Sequence, residues 1–160
     1  MLPHLAAAFT LARYLLRESA DAEDAVQEAY LQALRHFGGF RGENARAWLL
    51  TIVRRVCYGW IERTRRLAWA AEPDVLDELP GAGDDPEAAF LKGERQEQLA
   101  RAVDALPIPF REVIVLREIQ ELSYQEIASV TGVPVGTVMS RLARARRRLQ
   151  RVLLAEGMEG

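Results

Sequence analysis

The sequence is poor in the residues that build redox and metal chemistry. Among its 160 residues it has one cysteine, Cys57, two histidines, His4 and His36, and one lysine, Lys92. A lone thiol excludes a disulfide framework within the chain. With so few sulfur and imidazole donors, neither a four-ligand zinc site nor any other metal or cofactor is expected. A reducing cytoplasm fits this cysteine usage. No run of about 18 uninterrupted apolar residues occurs, so no membrane span is expected. The opening stretch MLPHLAAAFTLARYLLRE has no basic n-region and no clear cleavage site, and it reads as a helix rather than a signal peptide. No segment sustains a period-2 alternation, so no sheet is expected. No nucleophile–base constellation or phosphate loop is visible, which argues against an enzyme. What remains is ordinary for a globular chain, with 49% hydrophobic residues, 28% charged residues and a formal charge of −2. The basic residues are nearly all arginine, a bias that a GC-rich genome or a need for bidentate phosphate contacts would each produce.

Glycine and proline mark the joints. A first helix is expected from about Pro3 to Glu18, with Leu5, Ala8, Phe9, Ala12, Leu15 and Leu16 at helical spacing. Asp21 and Asp24 together resemble a capping box for a second helix that ends before Gly38-Gly39. Its buried stripe is expected to be Ala25, Val26, Ala29, Tyr30, Ala33 and Leu34. Asn44 is placed to cap a long third helix to about Arg66, with Trp48, Leu49, Ile52, Val53 and Val56 on one apolar face. Composition then shifts. Residues 72–87 hold seven acidic and no basic side chains, broken by Pro73, Pro80, Gly81, Gly83 and Pro86. This stretch reads as an acidic flexible linker between two small helical domains. The expected division is 1–67, a linker over 68–90, and 91–160, in an all-α protein.

The second domain carries the densest local signal. A helix is expected from about Glu87 to Ala105, and another from Pro109 carrying Val113, Ile114, Val115, Leu116 and Ile119. Ser123-Tyr124-Gln125-Glu126 is an S-x-x-E capping box, and Leu122 with Ile127 can staple it. Gly132 supplies a left-handed turn, and Pro134 is placed to open the final helix. In that helix Val138, Leu142, Ala145 and Leu149 make a core stripe. Thr137, Ser140, Arg141 and Arg144 lie off it, and Gly136 leaves room for close approach. Arginines alone would suit a merely solvated face. With the capped helix and glycine turn before them they complete a helix-turn-helix, whose second helix presents its N-terminal residues to base edges.

The stretch LPIPFREVIVLREIQELSYQEIASVTGVPVGTVMSRLARARRRL resembles the promoter-binding domain of bacterial sigma factors of the extracytoplasmic-function (ECF) type. ADAEDAVQEAYLQAL and ARAWLLTIVRRVCYGWIERTRR resemble that family's other domain, so the likeness covers nearly all of the chain except the linker. The resemblance implies a subunit that binds core RNA polymerase and directs initiation at selected promoters. Asp24, Gln27 and Glu28 match the family's docking motif for the clamp coiled coil of the beta-prime subunit, and at i, i+3 and i+4 they share one helix face. The −35 element would be read as duplex by Gly136, Thr137, Ser140, Arg141 and Arg144, with Arg147 and Arg148 serving the DNA backbone or packing. The −10 element would be melted and held by Phe40, Arg41, Arg54, Arg55, Tyr58 and Trp60, a stock suited to stacking and a cationic groove. An anti-sigma factor that clamps the domains together is implied as a further partner, and the linker could thread a basic polymerase channel or serve solubility alone.

The chain departs from the family pattern in three places. Arg55 stands where asparagine is common, Gly59 where aspartate is frequent, and Met139 where lysine is frequent. Two other readings stay open on the residues. A stand-alone helix-turn-helix regulator would leave the DAVQEAY helix unexplained. A sigma-like decoy that sequesters an anti-sigma factor would not need an intact recognition helix.

Overall fold

The computed structural model describes residues 4–39, 44–71 and 94–155. Seven α-helices account for most of them, and no strand occurs among the described residues. In the N-terminal unit α1 spans Leu5–Leu16, α2 spans Ser19–Arg35, and a single 3₁₀ turn at Phe37–Gly39 leads toward α3, Ala45–Ala71. The C-terminal unit holds α4 (Glu94–Asp104), α5 (Ile108–Ile114), α6 (Tyr124–Thr131) and α7 (Val135–Ala155). The linker over 68–90 lies largely outside the described residues.

Small side chains let the first three helices approach closely. Ala8, Leu11, Ala12 and Leu15 of α1 meet Ala22, Ala25, Val26, Ala29 and Ala33 of α2, and Leu49, Leu50, Val53 and Cys57 of α3 close the core. Asn44 caps α3 as expected, its Oδ1 accepting from the Ala47 amide at 3.0 Å. Three expectations are corrected here. Helix α2 begins at Ser19 after an extended Glu18, so Asp21 sits in its first turn and is not the cap. Ala22 is fully buried, and its register with Ala25 and Ala29 extends the helix one turn further back. Leu34 belongs to the exposed face, at 65% exposure, because it lies one residue round the helix from the buried Ala33. Ile119 is likewise exposed.

In the second unit α5 starts behind Pro107 and runs straight into a π turn, Val115–Ile119, in which the Gln120 amide bonds back to the Val115 carbonyl at 3.0 Å. Val113, Ile114, Val115 and Leu116 are buried there. The capping box of α6 is complete. Ser123 Oγ accepts from the Glu126 amide at 3.0 Å, and Glu126 Oε1 accepts from the Ser123 amide at 2.7 Å. The staple residues Leu122 and Ile127 are fully buried. Gly132 ends α6 at φ 78°, the left-handed geometry that favours glycine. The Pro134 carbonyl then accepts the first amide bonds of α7, from Thr137 and Val138.

The two units pack against each other, α3 on α6 and α1 on α5, and the seam is unusually polar. Glu112 lies at its centre with 1% exposure. Arg54 Nε donates to both its oxygens, at 2.9 and 3.0 Å, and the Tyr58 hydroxyl donates to Oε1 at 2.8 Å. Gln120 bridges twice, donating to the Ala7 carbonyl at 3.2 Å and accepting from Arg46 at 3.1 Å. Arg111 is buried and donates to the Tyr14 carbonyl at 2.9 Å. Asn44 donates to Glu126 Oε2, so the cap of α3 and the capping box of α6 interlock. A seam carrying this much desolvated charge is weaker than an apolar core of equal area, and domain seams of this kind readily part.

Candidate functional site

The helix-turn-helix formed by α6 and α7 divides its second helix cleanly. Val138, Leu142 and Ala145 are buried, and Leu149 packs on the edge of that core. On the other side Gly136, Met139, Ser140, Ala143, Arg144 and Arg147 are exposed. Thr137 and Arg141 are half-buried on the flank, so they border the outward face rather than crown it. Ser140 Oγ donates to the Thr137 carbonyl at 3.2 Å, which holds its hydroxyl oxygen toward solvent. Arg144 and Arg147 form no ion pair among the described residues. Two neighbours are committed elsewhere. Arg146 pairs with Glu118 at 2.7 Å, and the Arg148 guanidinium lies over the Phe110 ring at 5.4 Å. The arginines that look alike in the sequence therefore separate into free and engaged sets, and Arg148 falls in the packing set.

In the N-terminal unit α2 presents Asp24, Gln27 and Glu28, all exposed on one face. Glu28 Oε1 accepts from Trp60 Nε1 at a long 3.4 Å. Beyond them on that face stand Leu31, at 56% exposure, and Leu34. A carboxylate-led face with bare leucines beside it suits a protein partner better than water. Leu31 was legible as the next turn of that face, at i+7 from Asp24, but it was not among the expected site residues.

The expected single-strand surface is split. Phe40 and Arg41 lie outside the described residues. Arg55 is exposed, and Trp60 is half-buried with Arg63 over its ring at 5.9 Å. Arg54 and Tyr58 are both held in the seam by Glu112. The Arg54 guanidinium also lies over the Tyr58 ring at 4.2 Å. Burial works against the Arg54 charge, but the bond and charge of Glu112 outweigh it and raise its pKa. Burial, followed by the Glu112 charge, pushes the Tyr58 hydroxyl well up. The Glu112 carboxylate takes up these donors, so in this arrangement neither is open to a second acceptor at the same atoms. No sequence signal marked Glu112, which sits inside the apolar run REVIVL.

Comparison with known proteins matches the two units separately. Sigma-70 region 2 matches residues 2–67, and Sigma-70, region 4 matches residues 96–149. The ECF RNA polymerase sigma-E factor of Escherichia coli is 36% identical over 136 residues, covering 80% of this chain and 71% of that protein. The chain belongs to the ECF family of RNA polymerase sigma factors. The ECF RNA polymerase sigma factor SigE of Mycolicibacterium smegmatis is 31% identical over 156 residues, and this sigma factor spans 61% of its length. In three dimensions it resembles the sigma factor RpoE of Bartonella quintana, solved in complex with the anti-sigma factor NepR, at a TM-score of 0.78 and 28% identity over 95% of this chain and 92% of that one. CnrH, solved with the cytosolic domain of CnrY, follows at a TM-score of 0.69 and 29% identity, over 96% of this chain and 84% of that one. No helix among the described residues is long and apolar enough to cross a membrane.

Proposed function

We propose that this sigma factor binds core RNA polymerase and directs it to selected promoters as a cytoplasmic, non-enzymatic initiation subunit. Its working division is a docking and −10 domain over 1–67 and a −35 domain over 91–160, joined by the acidic stretch between them. The observation that carries the reading is the outward face of α7. Its N-terminal turns are exposed and bear Ser140 and Arg144, with Arg147 one turn on, neither arginine ion-paired among the described residues, on a helix locked in place by the capping box and turn before it. Arg144 is suited to guanine or phosphate, Ser140 to a base edge, and Gly136 to close backbone approach. Asp24, Gln27 and Glu28, with Leu31, form the surface for the clamp coiled coil of the beta-prime subunit.

Arg54, Arg55, Tyr58 and Trp60, with Phe40 and Arg41, serve the melted −10 strand. In the closed arrangement two of these six are occupied by Glu112, so −10 engagement follows parting of the two units. An anti-sigma factor is the natural means of keeping them together. The likeness to a sigma factor solved with its anti-sigma factor supports that reading, since a TM-score of 0.78 over 95% of the chain requires the two units to be similarly arranged.

Run-off transcription with core polymerase and the full chain tests the proposal. Initiation at defined promoters is the expected outcome. Specific DNA binding without initiation would point instead to a stand-alone regulator, and loss of both activities to a decoy for an anti-sigma factor.

A further inference from the structure

Between residues 135 and 149, α7 carries one large exposed apolar side chain. Met139 is 50% exposed. Every other long exposed side chain between residues 135 and 149 is an arginine. Ala143 lies one turn on from Met139, at i+4, so the two adjoin and form an apolar strip with Ser140 beside it and Arg144 beyond. A lone exposed apolar residue on an arbitrary surface calls for no explanation. Met139 is the fifth residue of α7, about a quarter turn round the helix from the buried Val138–Leu142–Ala145 stripe, in the turns that a helix-turn-helix lays against base edges. The base edges of the major groove offer one apolar feature, the C5 methyl of thymine. An unbranched thioether is polarizable and adapts its shape to such a group.

We infer that Met139, backed by Ala143, is a specificity-determining residue that selects a thymine in the −35 element by packing on its methyl group. The inference rests on α7 being the −35 reader. Arg147 attracts any duplex, whereas Met139 discriminates among duplexes. A basic residue at this position would add affinity for phosphate or guanine and lose the methyl contact.

The test uses holoenzyme assembled from core RNA polymerase and the full chain, selecting promoters from a pool randomised across the −35 region. A thymine at one fixed position is expected. Replacing it with deoxyuridine removes the methyl and leaves every hydrogen-bonding group of the pair intact. Holoenzyme binding should then weaken about fourfold, equivalent to one buried methyl at ~0.8 kcal/mol. Met139→Leu should keep this sensitivity. Met139→Gln should abolish it with helical content unchanged, because the side chain is exposed. A −35 element without thymine, thymines that all tolerate uracil, or wild-type uracil sensitivity in Met139→Gln would each overturn the inference alone. Failure of the wild-type chain to select any promoter would overturn the initiation reading as well, so the two failures are told apart.

Discussion

Glu112 shows how one side chain can carry two opposed demands. Its carboxylate loses nearly all its water, and among the described residues the Arg54 and Tyr58 donors offset that loss. Cys57, one turn from Arg54 on α3, meets a simpler fate. Burial first, and the Glu28 charge second, push its thiol up from an ordinary 9.0 to about 12. The folded chain keeps a proton that the unfolded chain releases near pH 9, so this contribution to stability is whole below that pH and is lost as pH rises toward about 12. Because the thiolate is the reactive form, iodoacetamide at about pH 8 should modify the native protein at least roughly tenfold more slowly than the guanidinium-unfolded chain. Equal rates in the two states would show an open thiol and contradict the burial. The lone cysteine was evident in the sequence, but its inertness depends on the neighbours that α1 and α2 bring to it.

Among the elements, α6 and α7 are the most locally determined. The S-x-x-E box, the glycine turn and the apolar stripe each involve residues no more than about four positions apart, and each formed as its chemistry requires. Substituting Ser123→Ala should cost about 1 kcal/mol in urea denaturation, and it should weaken −35 duplex binding more than it weakens core polymerase binding. A loss of equal size in both would mean that the cap supports the whole fold rather than the reading helix. Helix α2 was harder to read at its start. Asp21 and Asp24 look like a cap, yet burial of Ala22 against α1 and α3 draws Ser19 and Ala20 into the helix. Tertiary packing outbid a capping preference worth a similar amount.

Closure is a property of the whole molecule. Arg54→Ala would leave the buried Glu112 carboxylate without its cationic partner, a penalty on the order of 3 kcal/mol for a buried pair. The chain can escape that penalty by letting the two units part, which returns Glu112 to water. Small-angle scattering of the free protein should therefore show a larger radius of gyration for Arg54→Ala than for wild type. An unchanged profile would show that the apolar and backbone contacts of the seam hold the units together without this pair. The all-α class, the two units, the helix-turn-helix with its arginines and the acidic face of α2 were determined by the sequence alone, because helix caps, helical periodicity and glycine geometry act between near neighbours. The engagement of Arg54 and Tyr58 was decided only by the tertiary structure. Their partner Glu112 lies 58 and 54 positions away, inside an apolar run that resembles simple core, and no local rule links residues at that separation. The same is true of the arginines of α7. Arg146 and Arg148 are taken up by Glu118 and Phe110 from α5 and its π turn, while Arg144 and Arg147 face outward, because the packing angle of α7 brings only some of its sides within reach of another helix.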